Sequence, residues 1–127
     1  MRTWRIAYAI LAWLYLAGIV VQVFLAGASL FEMLEWTTHR ELGWGLGSAP
    51  ILLLVLAFPA RLERRTMWLT LGLTVAAVVQ PELAAARSSF PVVAALHPVN
   101  ALLVFWLAWL VARSAAEQLR LPSRQAG

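Results

Sequence analysis

Apolar residues fall in four long runs, at about residues 4–31, 37–58, 66–83 and 91–113, separated by short charged or proline-bearing stretches. Each is close to the ~20 residues a helix needs to cross hydrocarbon. No run alternates polar and apolar residues with period two, so strands are not expected. The pattern predicts an all-α fold: one domain over residues 1–127, an integral membrane four-helix bundle running up-down-up-down. Pro50 should bend the second helix, since proline removes a backbone hydrogen bond and crowds the preceding turn. The third helix is expected to end around Pro81, and Pro91 suits the first turn of the fourth. Residues 121–127 read as a short polar tail, and no internal repeat is evident.

Composition makes the membrane reading firm. Hydrophobic residues are 62% of the chain, outside the range of soluble globular domains. All ten basic residues are arginine and all six acidic ones are glutamate. The arginines sit between the apolar runs, which is a topology signal rather than a nucleic-acid surface. Arg2, Arg5, Arg61, Arg64, Arg65, Arg113, Arg120 and Arg124 share one side, against Arg40 and Arg87 on the other. The positive-inside rule then puts both termini in the cytoplasm, with the protein multi-pass in the plasma (inner) membrane. Arg2 and Arg5 ahead of an apolar run, with Ala26-Gly27-Ala28 as a small-residue site, resemble a signal peptide. The run is longer than a signal core and reads as a span. Trp4, Trp36, Trp44, Trp68 and Trp109 fall near span ends, where aromatic belts form.

The absence of cysteine excludes disulfides, iron–sulfur clusters, thiolate zinc sites and covalent haem attachment. Ser88 and Ser89 lie in a loop with no aspartate and no nucleophile elbow, so hydrolase chemistry is not indicated. No glycine-rich phosphate loop is present. Glu35 and His39 are four apart and, with Glu32, offer a thin carboxylate–imidazole metal set.

Read at helical spacing, each span has a seam of small residues carrying a polar group toward one end. The seams are Gly18-Gln22-Ala26-Ser29, His39-Gly43-Gly47, Gly72-Ala76-Gln80 and Ala94-His97-Ala101-Ala108-Ala112. At 1.5 Å per residue, Gln22 lies roughly 25 Å from Arg5, Gln80 roughly 22 Å from Arg65, His97 roughly 24 Å from Arg113 and His39 roughly 33 Å from Arg61. Four polar groups thus converge in the outer leaflet, leaving the cytoplasmic half of the bundle nearly bare of them. An ionisable side chain inside a bilayer is a functional-site hypothesis by default.

Spans two and four are diagonal in an up-down-up-down bundle, so His39 and His97 would face across its axis. The expectation is a b-type haem with His39 and His97 as axial ligands of the iron. Gly43 and Gly47 would leave room for the macrocycle, and Arg40 would pair with a propionate. Gln22, Gln80 and Asn100 complete the polar set, with Asn100 or Gln80 orienting an imidazole. Two readings without haem stay open: a cofactor-free structural or assembly subunit, and a small quinone-binding module. A redox or assembly partner in the membrane and a homo-oligomer are both compatible; a nucleic-acid partner is not expected.

The segments Gln22-Val23-Phe24-Leu25-Ala26-Gly27, Glu35…His39-Arg40…Gly43 and Leu96-His97…Ala101-Leu102-Leu103 follow one another as in small four-span bacterial membrane proteins of a family with no assigned function. The same order resembles one four-helix half of haem A synthase, an oxidase-assembly enzyme. The resemblance covers residues 13–113 and implies haem ligation by His39 and His97, with Glu35 as an acidic partner. Here Glu35 lies four residues before His39 rather than three, and the chain carries one such half rather than two.

Overall fold

A computed structural model describes residues 1–120. Arg124 and the polar tail at 121–127 lie outside the described residues. The fold is all-α, with four helices long and apolar enough to cross a membrane: Arg2–Leu30, Trp36–Ala60, Arg64–Ser88 and Pro91–Arg120. Large apolar side chains such as Ile10, Leu14, Phe24, Val55 and Leu102 are exposed along them. An apolar surface of that extent belongs against lipid rather than water.

Prolines punctuate the spans. The first is one helix, α1 (Arg2–Leu30). The second divides into α2 (Trp36–Gly47) and α3 (Ala49–Ala60), with Pro50 in the first turn of α3. Pro50 has no N–H for the Leu46 carbonyl, and the helix breaks just beyond that residue, where the Ser48 hydroxyl donates to the Gly45 carbonyl at 2.8 Å. The fourth span breaks by the same cause. Pro98 leaves the Ala94 carbonyl without its donor, separating the single turn α5 (Pro91–Ala94) from α6 (Leu96–Arg120).

In the third span, α4 (Arg64–Ala85) runs straight through Pro81 rather than ending there. Only the bond to Ala77 is forfeited, and two carbonyls flanking that gap are held from α6. Asn100 donates to Ala76 O at 2.8 Å and His97 Nδ1 to Gln80 O at 2.9 Å. Likewise α6 continues beyond Arg113. Its extension keeps Ser114, Ala115 and Gln118 buried on one face while Arg113 and Glu117 pair on the exposed one.

The first span packs on the second and fourth, and the third packs on the second and fourth. Among the described residues no close backbone approach joins the first and third spans or the second and fourth, and the first and third meet through the buried Tyr8–Thr70 side-chain bond. The bundle is therefore a ring in chain order, with His39 and His97 on diagonal spans. Its core lies toward the arginine-rich end, where Tyr8, Ala12, Leu53, Ala57, Leu73, Ala108, Val111 and Ala112 are buried. At the opposite end α2 buries no residue, and the first buried side chain of α6 is Val104.

The arginine-rich half is not bare of polar groups, contrary to the sequence expectation. Thr70 donates to the Thr66 carbonyl at 2.8 Å, so the buried Tyr8 hydroxyl is the donor in its bond to Thr70. Gln118 Nε2 donates to Thr66 Oγ1 at 2.7 Å, Thr66 in turn bonds Ser114 at 2.6 Å, and Gln118 Oε1 accepts the Glu63 N–H at 3.0 Å at the start of α4. Short hydroxyl side chains also satisfy themselves on the helix backbone, so residue type alone does not mark them as interhelical. Gln118 lies beyond the apolar run, which stops at Arg113. Arg5 closes this end, donating to Ala60 O at 3.0 Å and Arg61 O at 3.2 Å where α3 leaves its last carbonyls open.

Candidate functional site: two glutamine–histidine staples

Gln22 on α1 and His39 on α2 bond reciprocally. The Gln22 amide donates to His39 O at 3.0 Å, and His39 Nδ1 donates to Gln22 O at 3.2 Å. Glycine makes this approach possible: a Cβ on Gly43 would stand 2.6 Å from Gln22 Nε2. One turn deeper, a Cβ on Gly18 would stand 2.7 Å from a Leu46 methyl. The space beside Gly43 is occupied by the Gln22 amide. A Cβ on Gly47 would meet nothing within 4 Å.

The third and fourth spans repeat the arrangement. Gln80 Nε2 donates to His97 O at 3.0 Å, and His97 Nδ1 donates to Gln80 O. Both pairs are 17 residues apart. The second lies 58 residues after the first, and Val20-Val21-Gln22-x-x-Leu25-Ala26-x-Ala28 recurs as Val78-Val79-Gln80-x-x-Leu83-Ala84-x-Ala86. The chain therefore contains an internal repeat of one helix hairpin, which the sequence reading did not find. Hydropathy alone hides it, because few other positions match.

Backbone carbonyls only accept, so each imidazole, when neutral, carries its proton on Nδ1 and its lone pair on Nε2. Both rings are half-buried. The staples differ in their amide oxygens. Gln80 Oε1 accepts from Asn100 Nδ2 at 2.6 Å, whereas Gln22 Oε1 is buried with no partner among the described residues. Leu42 stands at the register position of Asn100.

Other expected residues lie at the rim. Arg40 is exposed beside His39, and Trp36 meets the His39 ring edge-on at 5.8 Å. Glu35 occupies the N-cap position of α2, and its carboxylate makes no capping bond there. Glu32 and Glu35 line a shallow cleft with Ser29, Thr37 and Thr38, and His39 is not part of it. Among the described residues no three histidine or glutamate side chains gather as metal ligands, so the Glu32–Glu35–His39 set is not assembled.

Residues 22–86 match a family of unknown function, DUF6220. The matched stretch holds Gln22, His39, Gly43, Gly47 and Gln80 and stops short of His97 and Asn100. No curated protein and no solved structure matches the chain. A match over half of its length makes this chain a member of the DUF6220 family.

Proposed function

We propose that the chain is a b-type haem protein of the plasma (inner) membrane, with both termini cytoplasmic and electron transfer or haem handling near the outer leaflet as its role. The observation that carries this reading is the matched locking of two imidazoles on diagonal spans. Each holds its proton at Nδ1 against a neighbouring span's carbonyl, the arrangement that fixes a ligand's tautomer and raises its basicity.

The donor set fits the group. Haem iron takes two neutral imidazoles, and since α2 buries no residue and the first buried side chain of α6 is Val104, a haem held by His39 and His97 would displace no core side chain of either helix. His39 and His97 would hold the iron, and exposed Arg40 suits a propionate. When bound, haem would supply one-electron exchange. Gln22 and Gln80 would keep the imidazoles oriented through the Nδ1 protons, and Asn100 would fix the Gln80 amide. The resemblance to a haem A synthase half supports the same assignment.

A cofactor-free structural or assembly subunit is the second reading. It is favoured by the direction of the amide bonds: Gln22, Gln80 and Asn100 all donate to backbone carbonyls of adjacent spans, as packing alone requires. Absorbance of protein purified in mild detergent separates the two. The haem reading expects a Soret band, sharp α and β bands on dithionite reduction and near one haem per chain. His39→Ala and His97→Ala should each abolish the low-spin spectrum. A flat visible spectrum from cells supplied with haem would overturn it.

A further inference from the structure

The repeat has diverged at one position that touches a histidine. Asn100 donates to Gln80 Oε1 at 2.6 Å and is itself anchored on Ala76 O at 2.8 Å. With its oxygen held, the Gln80 amide must turn its NH2 toward His97. One proton goes to His97 O at 3.0 Å, and the nitrogen lies 3.4 Å from His97 Nε2, where the ring's lone pair points. In the first hairpin Leu42 replaces Asn100, Gln22 Oε1 has no partner among the described residues, and the Gln22 amide bonds His39 O alone. His39 Nε2 has no hydrogen-bond donor among the described residues.

We propose that Asn100 and Gln80 form a latch over the Nε2 lone pair of His97, making the two imidazoles unequal. His39 engages an incoming Lewis acid or hydrogen-bond donor first, and His97 follows only when Gln80 turns away. The inference rests on the pairing of His39 with His97 in one ligand site, yet it concerns a lone pair and can be read without haem. A ligand bearing an O–H or N–H group, or a metal centre, meets His39 Nε2 on the unlatched side, while the unpartnered Gln22 Oε1 is buried.

The test is carbethoxylation of haem-free protein by diethylpyrocarbonate, which acylates an imidazole nitrogen through its lone pair, with each histidine followed by peptide mass spectrometry. His39 should react faster than His97. Asn100→Leu, which makes the second hairpin resemble the first, should speed His97 by about threefold to tenfold, the range of one net hydrogen bond, and leave His39 unchanged. Gln80→Met removes the latching NH2 and should act in the same direction. General loosening of the bundle would raise both rates together and would overturn the latch, as would equal rates in the native protein.

The 15N shifts of the two Nε2 atoms in native protein give an answer that needs no variant. His97 Nε2 should show the upfield shift of a hydrogen-bond acceptor relative to His39 Nε2, and coincident shifts would overturn the proposal. A flat haem spectrum alongside unequal rates would remove the haem reading and keep the latch. A bis-histidine spectrum alongside equal rates would do the reverse.

Discussion

Gly43→Ala tests whether the staple depends on missing side-chain volume. The added Cβ would stand 2.6 Å from Gln22 Nε2, too close for any real carbon. The atom it meets is the end of a flexible side chain, so the amide swings away and the backbone stays. The loss is then one bond to His39 O plus a partly buried amide without a partner, about 1–3 kcal/mol. Alanine's helix preference over glycine offsets about 0.5–1 kcal/mol of this. The net destabilisation expected is about 0–2.5 kcal/mol, set against the gain expected at a glycine with open space.

Gly47→Ala and Gly72→Ala place their Cβ where nothing lies within 4 Å. They should be neutral or stabilising by about 0.5–1 kcal/mol. Sodium dodecyl sulfate-driven unfolding in mixed micelles, followed by fluorescence of the seven tryptophans, measures all three. In a Gln22→Ala background the amide is absent, and Gly43→Ala should revert to the ordinary alanine gain. That reversal is the coupling a double-mutant cycle isolates. Gly43→Ala as stable as Gly47→Ala, or still destabilising beside Gln22→Ala, would refute the reasoning.

Gln118→Leu should lower stability by about 1–3 kcal/mol in the same unfolding assay, since it strips partners from the Glu63 N–H and the Thr66 hydroxyl. Glu117→Ala, one residue away in an exposed pair with Arg113, should change it by less than about 0.5 kcal/mol. The chain has no cysteine, so Thr3→Cys and Ser89→Cys each give a single labelling site. With the arginine-rich end cytoplasmic, impermeant maleimide on intact cells should label the position 89 variant and leave the position 3 variant unlabelled until permeabilisation.

The sequence made the spans and their order legible because lipid imposes one strong rule, an apolar helix of sufficient length. Helix ends were less legible. Pro81 and Arg113 look like stops, yet neighbouring carbonyls near the first are held from α6, and the second begins an amphipathic extension. The residues of the candidate site stood out as polar groups in apolar runs, and four of them, Gln22, His39, Gln80 and His97, pair within hairpins. Their partners did not stand out. A staple made to a backbone carbonyl leaves no trace in side-chain type, and the Gly43–Gln22 contact depends on an atom that glycine lacks. The repeat was present in the letters as Val-Val-Gln-x-x-Leu-Ala-x-Ala, and searching for self-similarity before hydropathy would have found it.

The two ends of the bundle are held by different forces, which bears on where any exchange takes place. Toward the arginine-rich end, alanines, Leu53 and Leu73 are buried, and so is the Thr66–Ser114–Gln118 lock. Opening there would forfeit apolar packing and several buried hydrogen bonds at once. At the histidine end α2 buries no side chain, the first hairpin is closed by one staple, and the second by a staple and the Asn100 bonds to Ala76 O and Gln80 Oε1. Interhelical hydrogen bonds in membranes average about 0.6 kcal/mol each, so a staple can open with little penalty while the base stays shut. The break before Pro50 separates the His39-bearing α2 from the packed α3, whereas the break before Pro98 lies ahead of His97, which shares α6 with the packed segment from Val104 onward. On the proposed haem reading, a ligand would enter and leave at the histidine end, and the proposed Asn100 latch would set the order in which the two imidazoles take part.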